Sequence, residues 1–293
     1  MEHLNLNPTL GAYQIGVLLS SVLFGVLSSQ TYVYFTRFPN DLMKTKTLVG
    51  FMWICEAGHE ICIAASLYGY TITGYGDPET LLRMPSTFVV AVLLHGIISG
   101  AVQGFFAFRI YALSKTLYVP CVCWMLGLLR LVGTAMVLGT GLRGTLANYL
   151  VQWEWLLTVL WISGVVNDTM IAATLAFILY RERNNAFTRM IPLVNKLIRW
   201  TIETGIVTST ATCLILICYF AMRTNYIFLA VFVVSSRLYS NSLLASLNSR
   251  ATLRKMDEVQ LSSPIVTLDF PRTRNSEFQA PQATSAAYGL DSV

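Results

Sequence analysis

The chain is short of charge. Of its 293 residues 12% are Asp, Glu, Lys or Arg, whereas 55% are hydrophobic and the mean hydropathy is +0.58. Soluble domains carry about 25% charged residues, so this composition belongs to a polypeptide that lies largely within lipid. Other absences narrow the function. Glycines 139, 141 and 144 are spaced for helix packing or a loop, not for a phosphate-binding fingerprint, and no nucleophile elbow or nucleic-acid module occurs. The net charge of +5 therefore gives no ground for a nucleic-acid partner, and the sequence offers no catalytic constellation. Histidine is scarce: His3, His59 and His95 are the whole set, too few for a seven-helix zinc hydrolase. No metal or cofactor is expected. The one exception to weigh is axial haem ligation by His59 and His95, against the plainer reading of two hydrogen-bonded buried rings.

Cysteine is equally uninformative. Cys55, Cys62, Cys121, Cys123, Cys213 and Cys218 all fall in apolar runs or at their ends, which argues for small buried hydrophobes and against a disulfide framework. Cys121-Val122-Cys123 could also accept palmitate. Asn167-Asp168-Thr169 matches a glycosylation acceptor but sits inside an apolar run, and Asn7-Pro8-Thr9 is excluded by its proline. The start, Met1-Glu2-His3-Leu4-Asn5, has no basic stretch before the first apolar run and no clear cleavage site follows, so that run is expected to be retained.

What is present is apolar length. A spanning helix needs about 20 such residues. Seven runs qualify: Leu10–Phe35, Thr47–Tyr70, Ser86–Leu113, Leu117–Leu142, Trp153–Tyr180, Leu197–Met222 and Asn225–Leu247. The expected fold is all-α, a polytopic membrane protein of seven transmembrane helices. Residues 1–9 form a short N-terminus, 10–250 the bundle and 251–293 a tail. Turn residues punctuate the gaps, as at Phe38-Pro39-Asn40-Asp41 and Met190-Ile191-Pro192, and Tyr32, Tyr68, Trp153 and Trp155 mark interfaces. Basic residues divide unevenly. Arg37, Lys44, Lys46, Arg109, Lys115, Arg181, Arg183, Arg189, Lys196, Arg199, Arg250, Arg254 and Lys255 lie on one side, and only Arg83, Arg143 and Arg223 on the other. Positive residues stay inside, so the N-terminus is expected outside and the C-terminus in the cytoplasm, in the plasma membrane or an endomembrane. From Met256 the composition shifts to Ser, Thr, Pro, Ala and Gln, which reads as a disordered tail with Ser262, Ser263, Thr267, Thr273 and Ser276 as phosphate acceptors or simply as solubilising residues.

Ionisable residues inside spans are costly, about 2.5–3.5 kcal/mol at a helix centre even on the lenient insertion scale, and they face partners or water. The set is Glu56, His59, Glu60, His95, Arg130, Asp168, Glu203 and Arg237. At a rise of about 1.5 Å per residue, Asp168 and Glu203 lie about 8 Å from the inner edge of the core, and Glu56 and Arg237 about 12 to 13 Å. His59, Glu60, His95 and Arg130 form a second layer at about 17 to 20 Å. Glu56, His59 and Glu60 share one helix face. Arg237 is expected to pair with Glu203, Asp168 or Glu56, and Arg130 with Glu60. Such pairs could fix helix register with no binding role, or line a functional polar pocket.

Several stretches carry a family resemblance. The closest is Ser236-Arg237-Leu238-Tyr239-Ser240-Asn241-Ser242-Leu243-Leu244-Ala245-Ser246-Leu247-Asn248-Ser249-Arg250, in which Tyr239, Ser240, Asn241, Ser242, Asn248 and Arg250 are the motif residues. Thr201-Ile202-Glu203-Thr204-Gly205, Asn167-Asp168, Gln30-Thr31-Tyr32, Phe38-Pro39-Asn40-Asp41 and Phe105-Phe106-Ala107-Phe108-Arg109-Ile110-Tyr111 support it. The chain resembles basidiomycete fungal seven-transmembrane proteins classed under a domain of unknown function, the one numbered 6534, which would cover about residues 164–251. The resemblance implies fold and topology, and no activity. Two functions are then open. One is a receptor-like sensor with an unknown ligand and a cytoplasmic partner at the 181–199 loop and the tail. It lacks an acid before Arg109, an Asn-Pro-x-x-Tyr pattern and a retinal-binding lysine in the last span. The other is a proton-coupled transporter or channel using Glu56, His59, Glu60, Asp168 and Glu203 as a relay.

Overall fold

In the computed structural model the described residues are 7–75, 77, 83–141, 152–185, 191–222, 225 and 227–262. Side chains are described for all of these except 7, 137, 138, 140, 141, 184, 185, 191–194, 197 and 251–262. Arg143, Arg189 and Arg223, and the tail beyond residue 262, lie outside them.

Seven helices account for almost all of the described chain: α1 (Ala12–Arg37), α2 (Met43–Tyr68), α3 (Ser86–Ser114), α4 (Tyr118–Gly141), α5 (Glu154–Asn185), α6 (Ile191–Ala221) and α7 (Ile227–Ser262). Each contains a stretch long and apolar enough to cross a bilayer, and the chain is a multi-pass membrane protein. In hydrocarbon every backbone polar group must be satisfied within the segment, and the helix achieves this. Pro39 ends α1 by disfavouring helical geometry at the residue before it, and Phe38 N–H still donates to Tyr34 O at 2.9 Å. Pro85 plays the opposite part at the start of α3, where its carbonyl accepts from Phe88 and Val89 N–H at 3.0 and 3.2 Å. α2 does not stop at Tyr68 but widens into a π-type turn over Gly69–Thr73. All six cysteines are free thiols.

Consecutive helices pack as antiparallel neighbours, and the ring closes where α7 lies against α1. α3 and α7 are the interior helices: half of the most apolar window of each is buried, against 22% for α4, which faces outward along most of its length. Outward positions are apolar as well, among them Ile15, Val22, Ile54, Ile61, Met125 and Phe177. Burial of apolar surface therefore does not distinguish inside from outside here, and close packing and polar contacts do. Gly16 on α1 is such a contact: a Cβ there would stand 2.6 Å from Ala230 Cα on α7. α7 runs on to Ser262, past the Arg250 boundary expected from composition.

Candidate functional site

The sequence of α7 places Ser236, Arg237 and Ser240 on one face, and α2 does the same with Glu56, His59 and Glu60 at intervals of three and four. The two faces meet in the bundle interior. Arg237 has no exposed surface, and neither do Glu56 and His59. Its guanidinium is fully engaged. Nη1 donates to the Glu56 carboxylate and to Glu56 O at 3.0 Å, Nη2 donates to Glu60 Oε2 at 2.6 Å, and Nε donates to Ser20 Oγ at 2.9 Å. His59 Nδ1 lies 3.4 Å from Nη2, and the Phe24 ring centre lies 5.1 Å from Cζ. The carboxylates are held from both sides. Ser236 and Ser240 donate to Glu56, and Ser21 donates to Glu60 Oε1 at 2.5 Å. A buried charge is tolerable only when paired and hydrogen-bonded, and both conditions are met here.

Asp168 belongs to a second, separate network. Its oxygens accept from Gln103 Nε2 at 2.6 Å and Tyr239 OH at 2.5 Å. Asn167 Nδ2 extends the network to Gln103 Oε1 at 3.0 Å, and Thr212 approaches Tyr239 OH at 3.4 Å. Helices α3, α5, α6 and α7 are thus tied through one carboxylate. One expected pairing needs correction. Arg237 takes Glu56, one of its three anticipated partners, and also Glu60, which was expected to pair with Arg130. Glu203 does not reach Arg237: its side chain is exposed and lines a cleft of about 360 Å³ with Arg37, Arg109 and Trp200.

The polar positions of the family-like segment of α7 reach several neighbouring elements. Asn241 donates to Leu23 O at 3.3 Å and Asn248 to Gln30 O at 2.9 Å, both on α1. Ser242 is buried. Arg250 Nη2 donates to Asp41 Oδ2 at 2.6 Å, where Tyr34 OH also donates at 2.7 Å, and its guanidinium lies over the Phe38 ring. The Arg250 guanidinium, with these hydrogen bonds, holds the Asp41 carboxyl at about 2, well below its ordinary 3.8. Sequence reasoning missed the neutral members: Ser20, Ser21, Gln103 and Ser236. Their only signal is that each is polar within an apolar run.

A cavity of about 80 Å³ lies between α3, α4, α5 and α7. It is toward the end of the bundle that carries the N-terminus, since Met84, Leu157 and Phe228 come from just before or within the first turns of α3, α5 and α7. His95, Ser99, Arg130 and Thr134 also line it. Two nitrogens there, His95 Nδ1 and Arg130 Nη1, are buried without a hydrogen-bond partner. Among the described residues Arg130 makes no ion pair. Asp168 lies near enough to interact electrostatically with Arg130 but beyond ion-pair distance, and each of its oxygens accepts a hydrogen bond from Gln103 or Tyr239. No three His, Cys, Asp or Glu side chains converge as a metal-ligand set among the described residues.

Comparison with known proteins adds one match. Residues 164–252, from α5 through the motif of α7, match the sequence model of a family of unknown function (DUF6534). No curated protein and no solved structure matches the chain.

Proposed function

We propose that this membrane protein is a receptor-like sensor that takes a small ligand into the cavity between α3, α4, α5 and α7, with its N-terminus outside and its C-terminus cytoplasmic. The observation that carries the reading is the pair of buried, unpartnered nitrogens on His95 and Arg130, two residues that line a mostly apolar cavity. A partly open, mostly apolar pocket with a few convergent polar groups has the chemistry of a small-molecule site, and its small volume suits a small ligand. Below it, the edge of the Tyr239 ring faces His95 at 6.3 Å, and Tyr239 donates to Asp168, so an occupant would press on the network that joins four helices. At the opposite end Arg181 and Arg183 end α5 and Lys196 and Arg199 lie early in α6, a basic edge suited to an acidic cytoplasmic partner at 181–199 and the tail.

A proton-coupled transporter is the competing reading. One observation favours it: the Arg237 cluster holds two carboxylates against one guanidinium, and Glu60 is 18% exposed. Three measurements separate the readings. Protein purified from native membranes should release a small molecule on denaturation that a cavity-filling Val92→Trp variant lacks, and spin labels at Leu113 and Arg199 should change separation when that molecule is stripped. Proteoliposomes should take up no protons along an imposed gradient. Sustained proton uptake, abolished by Glu60→Gln, with no retained molecule, would establish the transporter instead. The same purified sample disposes of haem if it shows no Soret band.

A further inference from the structure

Resting on that cavity being a ligand site, we infer that it takes a carboxylate on an apolar body, its anionic head held by Arg130 and His95. The wall chemistry excludes the opposite charge: no Asp or Glu lines the space, so an amine would meet no counter-ion. The guanidinium of Arg130 is permanently charged and presents a planar fork that matches a carboxylate. It rests against Gly164, where an added Cβ would be 3.2 Å from Cζ, so α5 leaves room for it by omitting a side chain. Nη1 has no acceptor among the described residues. His95 is 6% exposed, its ring packs on Phe232 at 4.4 Å between centres, and Nδ1 is left as a second hydrogen-bonding group at the same cavity.

Contrast with Arg237 sharpens the argument. Both arginines sit within spans, yet Arg237 meets two carboxylates from the protein and Arg130 meets none within ion-pair distance. An unpaired guanidinium at this depth is expensive, and an anionic ligand supplies the missing partner. Phe88, Leu160, Trp161, Phe228 and Phe232 supply most of the apolar wall, with Ser99 and Thr134 as its neutral polar members, and suit an alkyl chain or ring. Such a carboxylate can arrive from the bilayer as a fatty acid or from water as an aromatic acid, and the chemistry of the head is the same.

The test uses the purified full chain in nanodiscs, titrated with octanoate and 3-phenylpropanoate, and with octanol and octylamine as neutral and cationic controls. Binding is read by calorimetry and by ligand-dependent thermal shift. Both carboxylates should bind and raise the melting temperature, and Arg130→Gln should weaken them about 10- to 100-fold, the loss expected for a charged hydrogen bond. Arg130→Lys should recover part of the loss. If Arg130→Gln does not fold, His95→Phe, which keeps the ring packing, should still weaken the carboxylates and leave octanol unchanged. Binding by octanoate alone points to the bilayer source, and binding by 3-phenylpropanoate alone points to the aqueous one; either supports the inference. Octanol binding as well as octanoate, both blocked by Val92→Trp, would overturn the anion assignment and leave the cavity as a ligand site. No binding by any probe would overturn both.

Discussion

Arg237 is the residue on which the interior depends. Removing one partner of a buried ion pair strands the other charge, at a cost of about 3–5 kcal/mol. Arg237→Gln should therefore cut folded yield and lower the melting temperature in detergent, and Glu56→Gln should rescue part of that loss by removing the stranded carboxylate. An Arg237→Gln protein as stable as wild type would refute the pairing. Asp41 gives a pH test at the edge of the bundle. Its carboxyl is depressed, so the Arg250 contact stabilises the fold at pH above about 4 and is lost as pH falls toward 2. Arg250 is 37% exposed, which limits the effect to about 0.5–1 kcal/mol. Asp41→Asn should be destabilised by that amount at pH 7 and should converge with wild type only as pH falls to about 2 and below, in denaturation curves. Depth along the membrane normal was readable from sequence, and it placed Glu56 level with Arg237. Direction around each helix axis was not. Glu60 turns toward Arg237 and not toward Arg130, and the hydrogen bonds of Asp168 come from neutral Gln103 and Tyr239.

Among the elements, α7 is the one the others are arranged around. Ser236, Arg237 and Ser240 bind α2, Tyr239 binds α5, Asn241 and Asn248 bind α1, and Arg250 binds the loop after α1. The segment's run of small residues and amides was visible in the sequence, and its meaning comes from the lack of any hydrophobic preference between helix and lipid. Small residues let backbones approach, and amides then reach carbonyls on the neighbour. Gly16 tests the first half of this. Gly16→Val should drive a side chain into Ala230 and cost about 1–3 kcal/mol. Gly25→Val, on the same helix with nothing within 4 Å of the added Cβ, should leave the melting temperature within a degree or two of wild type. Equal effects at both positions would show that α1 does not seat on α7 in this way. Seven spans were legible throughout because length and hydropathy suffice for them. The extension of α7 to Ser262 was not, since the sequence there has left the apolar pattern.

At the scale of the whole molecule, two ends of different character follow from one topology. One end holds the cavity with Arg130 and His95, and at the other the helix ends carry Arg37, Lys44, Lys46, Arg181, Arg183, Lys196 and Arg199. A sensor needs this polarity: ligand access on one face, a charged docking edge on the other, and polar networks through the interior between them. All of it requires an odd number of crossings. The most direct measurement is the accessibility of a tag on the first residue and another on the last, in sealed right-side-out vesicles before and after permeabilisation. The account predicts that the N-terminal tag is reached at once and the C-terminal tag only after permeabilisation. Both tags reached together on intact vesicles would mean an even number of spans, and would contradict the seven-helix bundle and the site built within it.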